Sequence, residues 1–275
     1  MRKEAAQTMT SNYAALDRPE ILRFLFYPRK EWDQGPSGLF AQDLMIPVEN
    51  DTVVGARFHL AGPEAPNILY FHGNGEIVAD YDDLAEIFND RGLNFLPVDY
   101  RGYGRSTGTP TVSSMLRDAG VIFEFVVRFL NRKQYSGPII VMGRSLGSAS
   151  ALELAASHAQ AINGLVIESG FADTAALLRT LGVDTYGTGS AETRDMGNLG
   201  KIHNFQGPVL IIHAEFDHII PYSDGQALFD ACTSPDKTLL KIPGANHNDI
   251  FQHGLEAYMD AISTLAEKTK QNAGR

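Results

Sequence analysis

The chain predicts an open, mostly parallel α/β sheet of eight strands with helices on both faces and a small cap, and three features carry that expectation. Short, unbroken apolar runs bounded by Gly, Pro, Asn or Asp recur along the chain and alternate with longer helical stretches, the pattern of parallel strands buried on both faces. The first two strand candidates instead alternate apolar and polar residues around Glu49-Asn50-Asp51, as an antiparallel hairpin at a sheet edge does. One segment, 171–205, interrupts the rhythm with 35 residues rich in Gly, Thr and Asp between two strand candidates.

Taken in order, residues 1–17 form a loose polar tail, and Arg18–Tyr27, with Pro19 at its start and Ile21, Leu22, Phe24 and Leu25 on one side, predicts a short amphipathic helix packed on the body. The strands are expected at Asp43–Val48, Val53–Leu60, Asn67–Phe71, Asn94–Val98, Pro138–Met142, Asn163–Ile167, Pro208–His213 and Thr238–Ile242. The last six read as central strands of a parallel sheet. Helices are expected at Tyr81–Asp90, Ser113–Arg132, Ser145–His158, Ser223–Ala231 and His247–Lys268. A long excursion within a compact domain is usually a lid or a disordered insert, and a small cap is the reading adopted for 171–205. The expected organisation is therefore a tail at 1–17 and one domain over 18–275 with a cap insertion at about 171–205. In such a sheet the site lies at the carboxyl ends of the strands.

Composition bounds the function. Apolar residues make up 44% of the 275, enough for a full core, and the 20% charged fraction argues against disorder. A net charge of −10 disfavours nucleic acid and anionic lipid surfaces as partners, since both select a basic face. Cys232 is the single cysteine, so no intramolecular disulfide and no cysteine metal cage can form; it reads as a buried helix thiol. The polar N-terminus resembles no secretory signal, and no run reaches the ~18 apolar residues of a spanning helix, so the expectation is a cytoplasmic protein without stable membrane insertion.

The most informative stretch is Gly143-Arg144-Ser145-Leu146-Gly147, a G-x-S-x-G pattern between the apolar run Pro138–Met142 and the small-residue helix that begins Ser148-Ala149-Ser150-Ala151. A serine on a strand-to-helix turn is held in a strained conformation that projects its hydroxyl above the sheet edge. The other role open to Ser145 is an ordinary helix N-cap. After the third strand, His72-Gly73-Asn74-Gly75 leaves backbone amides uncovered, so that Asn74 N–H and Leu146 N–H can form an oxyanion hole; a plain glycine turn is the alternative. Asp217 stands just past an apolar strand, placed to orient a histidine, and otherwise serves as a turn or capping aspartate. His247 follows the last strand in Pro243-Gly244-Ala245-Asn246-His247 and can take the serine's proton. Glu168, directly after its strand, competes with Asp217 for the role of the acid.

These pieces bring a family into view. Over about Phe24 to Lys268 the chain resembles a serine α/β-hydrolase, nearest the lineage of Bem46-like proteins and the α/β-hydrolase-domain-containing types 17 and 13. The matching residues are His72-Gly73-Asn74-Gly75, Asp99-Tyr100-Arg101-Gly102-Tyr103-Gly104-Arg105-Ser106, Gly143-Arg144-Ser145-Leu146-Gly147 and Gly244-Ala245-Asn246-His247-Asn248-Asp249. The chain order Ser, Asp, His is the one this fold uses. The resemblance implies hydrolysis of an acyl ester or thioester, a small-molecule substrate, through an acyl-serine without metal or cofactor. Two departures count. Lipid-anchored members carry an N-terminal cysteine cluster that this chain lacks, so neither anchoring nor depalmitoylation carries over. His213-Ala214 stands where a His-Gly pair is usual, leaving Asp217 in place.

Other readings are weaker. His59, His158, His203 and His253 have no ligand-like partners at close spacing; His213 and His218 flank Asp217 without the His-Glu-x-x-His spacing of a zinc site. Gly187-Thr188-Gly189 follows no strand and is no dinucleotide loop. An aminopeptidase-like or C–C bond hydrolase on the same framework, or a non-catalytic binding protein that kept the fold, are the competing functions.

Overall fold

A computed structural model of the chain describes residues 13–32, 41–183 and 195–273. The apolar runs become β3 (Asn67–Phe71), β4 (Asn94–Val98), β5 (Ile139–Arg144), β6 (Gly164–Glu168) and β7 (Val209–Ala214), each buried along its whole length or nearly so, preceded by β1 (Ala41–Glu49) and β2 (Thr52–His59) and followed by β8 (Lys237–Ile242). They form one eight-stranded sheet in the order β1-β2-β4-β3-β5-β6-β7-β8. β2 runs antiparallel to both neighbours and the strands from β4 to β8 are mutually parallel. β1 and β2 make the edge hairpin that the alternation predicts, and Pro47 sits on its outer strand, where a missing N–H costs no ladder bond.

The strand order reverses at β3, with β4 on one side and β5 on the other. A crevice opens at such a switch point, beyond the carboxyl ends of the strands. Helices cover both faces. On one lie α3 (Val112–Lys133), α4 (Gly147–Ser157) and α7 (Tyr222–Ala231); on the other lie α2 (Asp82–Asp90) and α8 (Ile250–Ala273), and each face has its own apolar cluster. α1 (Pro19–Leu25) joins the first cluster through Ile21 and Leu25.

Several expectations are corrected. Packing begins before Arg18: Leu16 is fully buried, Asp17 accepts the amide of Ser113 at 3.0 Å, and the Tyr13 hydroxyl donates to Glu153 at 3.2 Å, so residues 13–17 pack on the body. β8 is the outer strand rather than a central one, with most of its residues partly exposed, which explains Lys237 and Lys241 in its sequence. The helix expected from Ser145 starts at Gly147, because Ser145 has φ of 51° and cannot continue a right-handed helix. α8 starts at Ile250 rather than His247, since Asp249 accepts the amide of Asn246 at 2.7 Å and closes a turn that holds His247 outside the helix.

Within 171–205 the chain forms α5 (Thr174–Thr180) and α6 (Asn198–His203). Phe171, Leu178, Met196, Ile202 and Phe205 all enter the main core, α6 packs on α4 and α7, and α5 faces α1. Both ends of the expected cap are thus rooted in the body. Residues 184–194, with Gly187-Thr188-Gly189, lie outside the described residues.

Candidate active site

Close backbone packing shapes the turn after β5. A Cβ on Gly143 would stand 2.3 Å from the carbonyl oxygen of Gly147, and one on Gly147 would stand 2.0 Å from that of Phe71, so strand, helix and the neighbouring β3 meet with no room for a side chain at either position. Ser145, between them, is left-handed, a conformation that costs about 1–3 kcal/mol and persists only when the surroundings enforce it. They do: its N–H donates to the carbonyl of Glu168 at 2.9 Å, and its own carbonyl accepts from the amide (3.0 Å) and hydroxyl (2.6 Å) of Ser148. Leu146 caps α4, so the partial positive charge of a helix N-terminus lies beside the Ser145 hydroxyl.

Three side chains that the sequence singles out meet here. His247 Nε2 lies 3.0 Å from Ser145 Oγ, and His247 Nδ1 lies 2.7 Å from Asp217 Oδ2. The other oxygen of Asp217 accepts the amides of Ile219 (3.0 Å) and Ile220 (2.8 Å). Burial pushes the Asp217 carboxyl up, but the His247 hydrogen bond and charge, with those two amides, outweigh it and hold the group below the usual carboxylate range. An ionised Asp217 fixes the tautomer: Nδ1–H donates to the carboxylate, leaving Nε2 to accept from the serine hydroxyl. Glu168 makes no bond to His247. Its carboxylate is fully buried, accepts from Arg144 Nε at 3.1 Å and from the Tyr258 hydroxyl at 2.7 Å, and burial pushes its pKa up.

The loop after β3 is fixed from two sides. The Tyr100 hydroxyl donates to the carbonyl of His72 at 2.6 Å, and the His72 ring reaches Asp99 at 3.3 Å. Gly104 has φ of 49°, a conformation that favours glycine, and a Cβ there would stand 2.0 Å from the buried Asp99 carboxylate. Asn74 Oδ1 accepts the amide of Tyr27 at 2.7 Å and the Tyr103 hydroxyl at 2.8 Å, and Arg29 Nε donates to the carbonyl of Gly75 at 3.1 Å. The Tyr-Arg-Gly-Tyr-Gly block thereby clamps the loop, and the strap after α1 crosses it. These side-chain duties of Asn74 have no signal in the sequence, because Tyr27 and Tyr103 are far from it along the chain.

Ser145, His247, Asn74 and Leu146 line one pocket of about 240 Å³. Its aliphatic wall is Leu25 of α1, Leu146, Leu177 of α5, Leu181 and Ile219; Glu76, Arg144 and Asn248 supply the polar side. Cys232 lies away from it at the C-terminal cap of α7, buried, with its thiol pKa pushed up by that burial. His213 is buried beneath the Asp217 loop with Nε2 2.8 Å from the carbonyl of Ile220, and burial pushes its pKa down, so it is the neutral donor to that carbonyl. Among the described residues no cluster of His, Cys, Asp or Glu is placed to hold a metal, and no helix is long and apolar enough to cross a membrane.

A family model described as serine aminopeptidase, S33, matches residues 62–185. The chain is 31% identical over 196 residues to the protein bem46 of Schizosaccharomyces pombe, a match spanning 68% of this chain and 63% of that protein. It is 30% identical over 225 residues to the human α/β hydrolase domain-containing protein 17B, covering 80% of this chain and 73% of that one. Among solved structures, the Pyrococcus furiosus esterase Pf2001 superimposes with a TM-score of 0.71 at 17% identity, over 88% of this chain and 98% of that one. A soluble variant of monoglyceride lipase from Saccharomyces cerevisiae, bound to a substrate analog, gives 0.66 at 18% identity, over 89% and 98%. The structural likenesses speak for the fold alone.

Proposed function

This chain belongs to the α/β-hydrolases of the Bem46-like lineage, and on that premise we propose that it is a serine hydrolase that cleaves a small or medium acyl ester or thioester through an acyl-serine intermediate. The observation that carries the reading is the unbroken relay from Ser145 Oγ to His247 to Asp217, with distances of 3.0 and 2.7 Å, at the floor of a pocket with one aliphatic wall.

Ser145 Oγ attacks the acyl carbon while His247 Nε2 accepts its proton, and Asp217 stabilises the imidazolium that forms. The oxyanion is held by the backbone N–H groups of Asn74 and Leu146, the second at the positive end of α4. His247 then passes its proton to the departing alcohol or thiol. Water, deprotonated by the same imidazole, releases the acid. The aliphatic wall receives the acyl chain. An aminopeptidase reading needs a carboxylate free to accept a substrate ammonium. Glu76, the carboxylate among the described lining residues, already accepts from Arg144, from the Gly73 amide and from the Tyr81 hydroxyl, which favours an ester or thioester.

A fluorophosphonate probe tests the reading. Labelling of the natural chain is expected, with none in Ser145→Ala at an unchanged melting temperature; an alanine variant that labels as strongly as the natural chain eliminates Ser145 as the nucleophile.

A further inference from the structure

Arg144 ends β5 immediately before Ser145, and the proposed chemistry leaves it without a task. Its guanidinium is buried, and burial alone would lower its pKa; the adjoining Glu76 and Glu168 carboxylates outweigh that and keep it charged. Its donors reach three separate elements. Nη1 pairs with Glu76 in the loop after β3, Nε donates to Glu168 at the end of β6 at 3.1 Å, and Nη2 donates to the backbone carbonyl of His247 at 2.8 Å. Glu76 continues the path, because its second oxygen accepts the amide of Gly73, next to Asn74, at 2.6 Å.

Gly73 is built around this contact. It is not among the residues with positive φ, yet a Cβ there would stand 2.7 Å from Arg144 Nη1 and 2.9 Å from Glu76 Oε2. An apolar side chain at 144 would spare the desolvation of a cation between two acids, so stability is a poor reason for this arrangement. Geometry is a better one. A guanidinium is a rigid planar fork that holds several acceptors at fixed angles, as an ammonium cannot.

We propose that Arg144 is a positioning residue that sets the spacing between the loop carrying Asn74 and the loop carrying His247, so that oxyanion donor and base address the same carbon. The proposal rests on the roles given above to Ser145, His247 and Asn74. It makes the variable residue of the G-x-S-x-G pattern part of the alignment of the site. Misplacing reacting groups by about 1 Å costs on the order of 100-fold in rate.

The test compares Arg144→Lys, Arg144→Met and Glu76→Gln in the full chain, measuring kcat and KM on one p-nitrophenyl ester and Ki for an alkylboronic acid, which forms a tetrahedral adduct on the serine. Expected is a fall in kcat of about 100-fold in all three, KM within about threefold of the natural chain, and Ki rising in parallel with the loss of kcat. Lysine restoring kcat to within about threefold shows that charge alone suffices, and a loss confined to KM, or an unchanged Ki, assigns Arg144 to binding or folding; each overturns the proposal. If the methionine variant fails to fold, Glu76→Gln decides, since full activity there breaks the proposed path. Absence of fluorophosphonate labelling at Ser145 in the natural chain overturns the serine reading itself, and is seen before any Arg144 variant is made.

Discussion

Asp217 and Glu168 stand at the ends of adjacent strands and are held in opposite electrostatic conditions. Glu168 is buried deeply enough that its pKa rises despite Arg144, whereas His247 and two backbone amides bring Asp217 down against its burial. Asp217→Asn keeps the shape but offers a donor to His247 Nδ1, which favours the wrong tautomer, and is expected to lower kcat about 10⁴-fold. Glu168→Gln should cost roughly tenfold or less, measured on the same activated ester; the reverse ranking makes Glu168 the acid of the relay. The shift of Asp217 also has a sign in stability. A carboxyl depressed in the folded state contributes stability above its unfolded pKa, and that contribution is lost as pH falls through the folded value. Urea unfolding followed from about pH 5 down to about pH 2 should therefore show a shallower loss of stability in Asp217→Asn than in the natural chain. Asn74 separates side-chain from backbone duties. Asn74→Ala removes the acceptor shared by the Tyr27 amide and the Tyr103 hydroxyl, leaves that amide its second bond to the Tyr103 oxygen at 2.7 Å, and is expected to cost about tenfold in kcat, while Asn74→Pro removes the proposed oxyanion donor and should cost about 100- to 1000-fold.

At the scale of elements, two short helices from distant parts of the chain share the pocket wall: α1 brings Leu25 and α5 brings Leu177, and the two pack together. In an apolar pocket one methylene is worth about 1–3 kcal/mol of discrimination. Leu177→Ala is expected to raise kcat/KM about tenfold for acyl esters one or two carbons longer than the optimum of the natural chain, and an unchanged profile across a graded ester series excludes α5 from acyl recognition. The inner strands were legible as brief apolar runs, and the edge pair β1 and β2 as an apolar–polar alternation about a turn. Their rank in the sheet was not, and β8 shows why: Thr238–Ile242 is apolar enough for either a central or an outer strand, and only the topology puts it at the edge. Ser145, Asp217 and His247 stood out because each lies at a strand end. The Arg144 cluster did not, because Glu76, Glu168, Tyr81 and Tyr258 come from four elements with no shared period.

Across the whole molecule, buried charge joins parts that the apolar clusters leave separate. Arg57 of β2 is 3% exposed and pairs with Asp43 of β1 at 2.6 Å, Asp82 of α2 at 2.6 Å and Glu31 of the N-terminal strap at 3.3 Å. Removing one partner of a buried ion cluster is more costly than never having built it. Arg57→Met is expected to lower the unfolding free energy by about 3 kcal/mol, the low end for such a loss because Asp82 is partly solvated, as read by urea denaturation. The relay spans the molecule in another sense, for Ser145 and His247 are 102 residues apart along the chain. At a synthesis rate of about 5–20 residues per second, roughly 5 to 20 seconds pass between the translation of the serine and that of the histidine proposed to take its proton. On the proposed chemistry, the nascent polypeptide carries during that interval a hydroxyl no more reactive than any other serine's, and emerges from the ribosome chemically silent toward surrounding acyl metabolites.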